Sequence, residues 1–296
     1  MKPFINPIIP TDKTGKTSDP YLLRQGEWYY HCYTAGGGIY IAKTKEFSEL
    51  EKAESVRVYS CKSGEDFSEW YAPELHLING TWYIYGSPKY KGTHIMAVLE
   101  NKNPDPMTEF SLVGLVEGLG SNWNLDGTVT EYDGKNWFIW SGGAALFIAE
   151  LISPNKVSGI PVKIKETEFE FERRDNTICE GPAVLKRGEK IHLIYSVNNS
   201  MSDEYCLGRI TFSGKGDILD MSNWEKCETA VFEKTEDIFG PGHCSFTTVL
   251  ENGKWEDYII YHANLESGTG WYGRSVWAQK VEWDENDTPI FGVPHR

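Results

Sequence analysis

Gly80-Thr81-Trp82-Tyr83-Ile84-Tyr85 is an aromatic run that starts from a glycine, and the chain contains this pattern five times. Its counterparts are Gly26-Glu27-Trp28-Tyr29-Tyr30, Gly134-Lys135-Asn136-Trp137-Phe138-Ile139-Trp140, Gly188-Glu189-Lys190-Ile191-His192-Leu193-Ile194-Tyr195 and Gly253-Lys254-Trp255-Glu256-Asp257-Tyr258-Ile259-Ile260-Tyr261. The glycines advance from 26 to 80 to 134 to 188 in steps of 54, and the last step, to 253, is 65. Three equal steps are hard to obtain by chance; the last has absorbed an insertion.

Working outward, an apolar strand precedes each glycine, such as Leu75-His76-Leu77-Ile78 or Ala183-Val184-Leu185. Asn79-Gly80 and Asp133-Gly134 are strong hairpin signals. A third strand follows the aromatic one: Ile39-Tyr40-Ile41-Ala42, His94-Ile95-Met96-Ala97-Val98, Leu146-Phe147-Ile148-Ala149, Tyr205-Cys206-Leu207-Gly208-Arg209 and Val276-Trp277-Ala278-Gln279-Lys280. A more polar fourth strand, such as Ser55-Val56-Arg57-Val58-Tyr59, ends several units. A four-strand unit repeated every ~40–50 residues marks a propeller blade. The expectation is all-β: one five-bladed β-propeller domain over residues 1–296, with a central active-site pocket. A pair of β-sandwiches would leave the equal spacing without a cause.

The net charge of −14 repels polyanions, which sets nucleic acid and anionic membrane surfaces aside as partners. No apolar run reaches the length of a membrane span. The 11 Trp, 16 Tyr and 13 Phe suit half-buried pleated surfaces, and such rings also stack on sugars. The cysteines at 32, 61, 179, 206, 227 and 244 are scattered, so neither a disulfide framework nor a zinc site is expected. Met1-Lys2-Pro3-Phe4-Ile5-Asn6-Pro7 has no apolar signal region. Thiols and that start lead to the cytoplasm as the expected compartment.

In a propeller the first strand of each blade usually lines the channel, so its lead-in lies at one rim. The five lead-ins are Ser18-Asp19-Pro20-Tyr21, Tyr71-Ala72-Pro73-Glu74-Leu75, Leu125-Asp126-Gly127-Thr128, Cys179-Glu180-Gly181-Pro182 and Gly240-Pro241-Gly242-His243-Cys244. Similar offsets from the hairpin glycines bring Asp19, Glu74, Asp126, Glu180 and His243 to one pocket. Singly, each has a plain structural explanation. Asp before Pro or Gly forms turns, Glu74 can hold the blade, and a lone histidine is more often a core residue than a ligand. Their shared phase favours function. Crowded carboxylates are useful where protonation separates them, one acid protonated and one ionised. Glycoside hydrolysis is the commonest use of two carboxylates flanking a bond.

At these residues the chain resembles glycoside hydrolase family 43. Ser-Asp-Pro at 18–20, Ala-Pro-Glu at 72–74, Asp-Gly-Thr at 126–128, Glu-Gly-Pro at 180–182 and Gly-Pro-Gly-His at 240–243 match in order across all five units. Trp140-Ser141-Gly142, Tyr205-Cys206-Leu207-Gly208 and Arg274-Ser275-Val276-Trp277-Ala278-Gln279-Lys280 resemble the branch containing exo-α-1,5-L-arabinofuranosidases. The resemblance implies that Asp19 is the general base, Glu180 the general acid and Asp126 the residue that tunes and orients the acid. It also implies inversion, no organic cofactor, and a calcium ion on the axis that His243 reaches through water. The family's usual Trp-Ala-Pro is Tyr71-Ala72-Pro73 here, with Trp70 one place earlier, and the frequent Asn after Gly-Pro-Gly-His is Cys244.

The expected mechanism has water on Asp19 attacking the anomeric carbon while Glu180 protonates the leaving oxygen, with the two carboxyls about 6.5–9.5 Å apart. Trp70, Tyr71 and Trp123 are the expected sugar-stacking walls. Glu74, Ser141, His243 and Arg274 are the other expected substrate contacts. Blade packing accounts for the aromatics equally well, and Arg274 can pair with an acid for structural reasons. The expected substrate is a terminal α-L-arabinofuranosyl residue of arabinan or an arabino-oligosaccharide. The rivals are a β-xylosidase, an endo-arabinanase and, from another class, a sugar-binding propeller without catalysis. A lectin needs neither base nor acid, which weighs against the last.

Overall fold

The aromatic runs form the second strands of five antiparallel sheets in the computed structural model, which describes residues 4–11, 17–61 and 66–296. The sheets start from first strands Tyr21–Gln25, Phe67–Ile78, Leu125–Tyr132, Cys179–Arg187 and Phe239–Glu251. Each first strand touches the first strand of the next sheet, and the fifth touches the first, so the ring closes. The sheets are the blades of a five-bladed β-propeller, numbered here 1 to 5.

Two-residue turns join first to second strands in every blade: Gln25 pairs with Trp28, Ile78 with Thr81, Tyr132 with Lys135, Arg187 with Lys190 and Glu251 with Lys254. In three blades the turn is Asn79-Gly80, Asp133-Gly134 or Asn252-Gly253, with both residues at positive φ as a type I′ turn requires. In the other two, Gly26 and Gly188 take the first turn position instead. The glycine steps therefore mark the repeating unit but not its register.

Packing explains the aromatic load. There are five hydrophobic clusters, one between each pair of neighbouring blades. Tyr30 and Trp82 meet between blades 1 and 2, Tyr85 and Phe138 between 2 and 3, Leu146 and Tyr195 between 3 and 4. Second strands are buried on both faces because a blade lies against each, whereas the outer strands Glu54–Ser60 and Ser111–Leu115 are largely polar or exposed edges. Trp70 belongs to this packing. It is 4% exposed, with its ring edge-on to Tyr59 at 5.3 Å and pressed on Gly86, so the expectation of a sugar-stacking Trp70 is corrected. The third strand of blade 2 starts at Ala97, not His94; His94 instead pairs with Lys89 in an extension of the hairpin.

Blade 5 has three strands, Phe239–Glu251, Lys254–Asn264 and Ser275–Lys280. The N-terminal segment takes the outer place beside them. Ile9 and Val276 exchange both backbone hydrogen bonds, and the Asn6 amide donates to the Ala278 carbonyl at 2.8 Å and accepts from its N–H at 2.9 Å. Ile8 and Ile9 also join the cluster between blades 5 and 1. Among the described residues no helix is long and apolar enough to cross a membrane.

Gly127 tests how tightly the lead-ins are packed. A Cβ there would lie 2.2 Å from Cζ of Phe138 and 2.8 Å from Cε of Met96. Gly127→Ala should therefore destabilise the fold by about 1–3 kcal/mol, as overpacking does, measured by urea denaturation; an unchanged midpoint would mean that the blade 2–3 core yields freely.

Candidate active site

Each lead-in places a residue in the left-handed region next to its bulge, Asp19 (φ 51°), Ala72 (φ 42°), Asp126 (φ 54°), Gly181 (φ 54°) and His243 (φ 43°), and the blade 5 lead-in has Gly240 (φ 55°) in that region as well. In blades 2 to 5 the residue just before it pairs with the end of the second strand: Tyr71 with Ser87, Leu125 with Ser141, Glu180 with Ser196, Gly242 with His262. The register then slips, which is a bulge, and bulges re-aim side chains at functional rims. Asp and His tolerate this backbone better than most residues; a left-handed Ala costs about 1–2 kcal/mol. The equivalent positions around the ring are therefore Asp, Ala, Asp, Gly and His. Glu180 stands one residue before its position and Glu74 two residues after, which counting from the hairpin glycines did not resolve.

The preceding blade holds these peptides. The Asp126 N–H donates to Ser87 Oγ at 3.0 Å, the His243 N–H to Ser196 Oγ at 2.8 Å, and the Asp19 N–H to His262 Nδ1 at 3.3 Å. The Gly181 N–H donates to Asp126 Oδ2 at 3.0 Å. Ser141, equivalent to Ser87 and Ser196, donates to the Cys179 carbonyl at 2.8 Å, next to Glu180. Ser141 is fully buried and does not line the cavity, so its expected role at the substrate is corrected to support of the Glu180 strand.

Asp19, Asp126, Glu180, His243 and Arg274 line one cavity of ≈ 430 Å³, to which every blade contributes, with Tyr71 and Trp123 among its walls. Glu74 is elsewhere. It lines a second cavity of ≈ 300 Å³ along the inner strands, beside Tyr21, Thr128 and Ser245. There its Oε2 lies 2.8 Å from His76 Nε2. The expectation of a fourth carboxylate at the site is corrected: two further residues along a strand carry a side chain past the rim.

The groups in the cavity are electrostatically unlike. Desolvation, then the Asp126 carboxyl beside it, pushes Glu180 up to about 7, against the hydrogen bond that Tyr205 donates to Glu180 Oε1 at 2.9 Å. Asp126 is raised as well, chiefly by burial. Arg274 Nη1 donates to Asp19 Oδ1 at 3.0 Å, and Arg274 Nη2 to the Ser200 carbonyl at 2.8 Å. His243 Nδ1 lies 3.4 Å from Asp19 Oδ1. Burial lowers the basicity of His243, but Asp19, Asp126 and Glu180 together raise it above its ordinary value. Burial, then Arg274 and His243, drives His262 well below its ordinary value, which suits an Nδ1 that accepts a hydrogen bond.

Sequence reasoning missed Tyr205, His262, His94, Trp271 and Tyr272. His94 meets Tyr71 edge-on at 4.9 Å, and Trp271, about half-exposed, donates from its indole to Ser200 Oγ at 3.1 Å. His94, Trp271 and Tyr272 line the cavity. His262 was readable: an antiparallel hairpin returns its second strand to the rim where the first began, so second-strand ends face the site too. Trp271 and Tyr272 sit in a connection that carries no repeat signal.

A calcium ion needs several oxygen ligands. Among the described residues no three His, Cys, Asp or Glu side chains come together to hold a metal ion. An ion beside His243 would draw its other ligands from water or from backbone and hydroxyl oxygens.

The comparisons with known proteins agree with this geometry. Residues 4–289 match the family described as Glycosyl hydrolases family 43. The chain is 31% identical to an "Extracellular exo-alpha-(1->5)-L-arabinofuranosidase" of Streptomyces avermitilis, over 98% of this chain and 63% of that protein. It is also 31% identical to a protein of the same name from Streptomyces chartreusis, over 88% of this chain and 82% of that one. The chain thus spans less than two thirds of the first relative. A solved α-L-arabinofuranosidase from Lactobacillus brevis superposes with a TM-score of 0.89 at 30% identity, covering 99% of this chain and 97% of the other.

The raised carboxyls have a stability consequence. Their folded-state values exceed their ordinary ones, so the stability they contribute is full below the ordinary carboxylate range and is lost as pH rises through about 7. Glu180→Gln should therefore melt higher than the parent at about pH 8, with the gap shrinking toward about pH 5. Calorimetry across that window checks this; a variant that melts lower at high pH would show that Glu180 ionises in the fold without cost.

Proposed function

Because the chain belongs to glycosyl hydrolases family 43, we propose that it releases terminal α-L-arabinofuranosyl residues from arabinan or arabino-oligosaccharides with inversion at the anomeric carbon. The names of the Streptomyces and Lactobacillus relatives support the sugar and the exo mode. The observation that carries the mechanism is the contrast between two carboxyls on one cavity. Glu180 is pushed up to about 7, while Asp19 is met by the guanidinium of Arg274 at 3.0 Å.

In this reading Asp19 accepts a proton from a water, whose oxygen bonds to the anomeric carbon. The glycosidic C–O bond breaks as Glu180 gives its proton to the leaving oxygen. Asp126 serves Glu180 twice: its charge raises the proton affinity of Glu180, and its hydrogen bond to the Gly181 N–H fixes the adjoining peptide. Tyr71 and Trp123 supply apolar faces for sugar rings. A calcium ion bridged to His243 by water would supply positive charge beside the three carboxyls. The proposed partner is an arabinose-containing carbohydrate; the charge of −14 disfavours nucleic acid and anionic membrane. Cys32, Cys179, Cys206, Cys227 and Cys244 are thiols, the one feature that favours the cytoplasm over the extracellular location in the relatives' names.

Hydrolysis of nitrophenyl α-L-arabinofuranoside in preference to nitrophenyl β-D-xyloside is the expected result, with NMR showing the inverted anomer first. Turnover of the xyloside alone, or retained configuration, would overturn the reading. Glu180→Gln should lose about 10²–10⁴ in rate on an arabino-oligosaccharide and much less on the nitrophenyl glycoside, whose leaving group needs little protonation. Asp19→Asn should be severe on both. The wild-type kcat/KM should fall above about pH 7 as Glu180 loses its proton, and Asp126→Asn, which removes a neighbouring like charge, should move that limb to lower pH.

A further inference from the structure

Tyr205 and His262 lie behind the proposed acid and base, and neither lines the cavity. Both are almost fully buried, at 1% exposure each. The Tyr205 hydroxyl donates to Glu180 Oε1 at 2.9 Å. His262 Nδ1 accepts the N–H of Asp19 at 3.3 Å. The two rings are stacked on each other, with centroids 5.7 Å apart and planes 8° from parallel. The guanidinium of Arg274, which also binds Asp19, lies 6.0 Å from the Tyr205 ring centre.

One glycine of the Gly240-Pro241-Gly242-His243 motif makes room for this arrangement. A Cβ on Gly242 would lie 2.3 Å from two atoms of the Tyr205 ring. Hence Gly242 lets the tyrosine pass between the blade 5 lead-in and Glu180. The result is a continuous path from the Glu180 carboxyl to the Asp19 backbone: Glu180, the Tyr205 hydroxyl and ring, the His262 ring, the Asp19 peptide.

We propose that Tyr205 and His262 are positioning residues, a stacked pair that sets the separation and aim of Glu180 relative to Asp19. The roles of those two carboxyls rest on the reading above. Inverting hydrolysis needs room for one water between acid and base, and two flat rings in contact are a spacer with few soft degrees of freedom. The hydroxyl also occupies Oε1, which leaves Oε2 of Glu180 to carry the proton toward the leaving group.

The test uses Tyr205→Phe, which keeps the ring and its stack, and Tyr205→Leu, which removes both stack and hydroxyl. The groups facing Glu180 are Asp126, Tyr205, His243 and Asp19, and only the tyrosine changes. The first readout needs no turnover: carboxyl ¹³C NMR titration of Glu180. A hydrogen bond donated to a carboxylate favours the ionised form, so Tyr205→Phe should move the Glu180 titration up by about one pH unit. The basic limb of kcat/KM should move up with it, at unchanged KM. Tyr205→Leu should lose about tenfold or more beyond Tyr205→Phe on nitrophenyl arabinofuranoside, where acid catalysis matters little, because the base is then misplaced. An unmoved Glu180 titration in Tyr205→Phe overturns the proposal, as does a Tyr205→Leu enzyme as fast as Tyr205→Phe on the aryl substrate. If the wild type hydrolyses neither aryl glycoside, the proposed function falls, while the titration still decides whether Tyr205 holds Glu180.

Discussion

The site depends on peptides that sit in an unfavourable backbone region and are held there by the neighbouring blade. Asp19, Asp126 and His243 are left-handed residues whose N–H groups are caught by His262, Ser87 and Ser196, each from the blade before. A left-handed L-residue costs about 1–2 kcal/mol, and a buried N–H left without an acceptor costs a further ~1–3 kcal/mol. Neither cost is met inside a single blade. Each catalytic side chain is thus placed only when two blades are packed together. Asp19 carries this furthest, since its acceptor comes from blade 5 and is present only when the ring has closed. Closure in turn involves the N-terminal segment, where Asn6 and Ile9 stand in for a missing outer strand.

Packing three carboxyls around one cavity works against stability. The protein relieves it by unequal means. Asp19 is met by the Arg274 guanidinium and by a His243 of raised basicity, whereas at Glu180 and Asp126 burial outweighs the pull of His243 and of the neutral donors Tyr205 and the Gly181 N–H. Had all three acids been paired with cations, all would ionise readily and no proton donor would survive near neutrality. The asymmetry is a feature of the ring: Arg274 and His243 both come from blade 5, next to Asp19 in blade 1.

The repeat made the blades, their number and the rim legible before any coordinates. The period of the aromatic runs reflects burial of each second strand between two blades, which is a strong and local constraint. The finer placement was not legible, because a glycine in the first or second position of a two-residue turn shifts everything counted from it. Glu180 was placed one residue off on this ground, whereas Glu74 was misplaced because an offset two residues shorter than that of Asp126, in the same turn register, was taken as equivalent. Trp70 looks like a wall because it neighbours Tyr71, yet adjacent strand residues face opposite ways, and Trp70 faces the core while Tyr71 faces the cavity. Cys179, unexplained as a thiol, is fully buried and contributes its carbonyl to Ser141. What the sequence conceals most are contacts between blades, since nothing in the order of residues pairs Tyr205 with His262.

The ends of the second strands make that last point specific. Ser87, Ser141, Ser196 and His262 occupy equivalent places in blades 2 to 5, each opposite the residue before a left-handed turn. A serine hydroxyl both donates and accepts, and the three serines use both: Ser87 and Ser196 accept from a peptide N–H, while Ser141 donates to a carbonyl. Acceptance alone would not require a histidine at the fourth place. A ring there does what a hydroxyl cannot: it accepts the Asp19 N–H and presents a flat face to Tyr205. The departure from serine therefore falls at the one interface where the backbone of the proposed base must be tied to the side chain of the proposed acid.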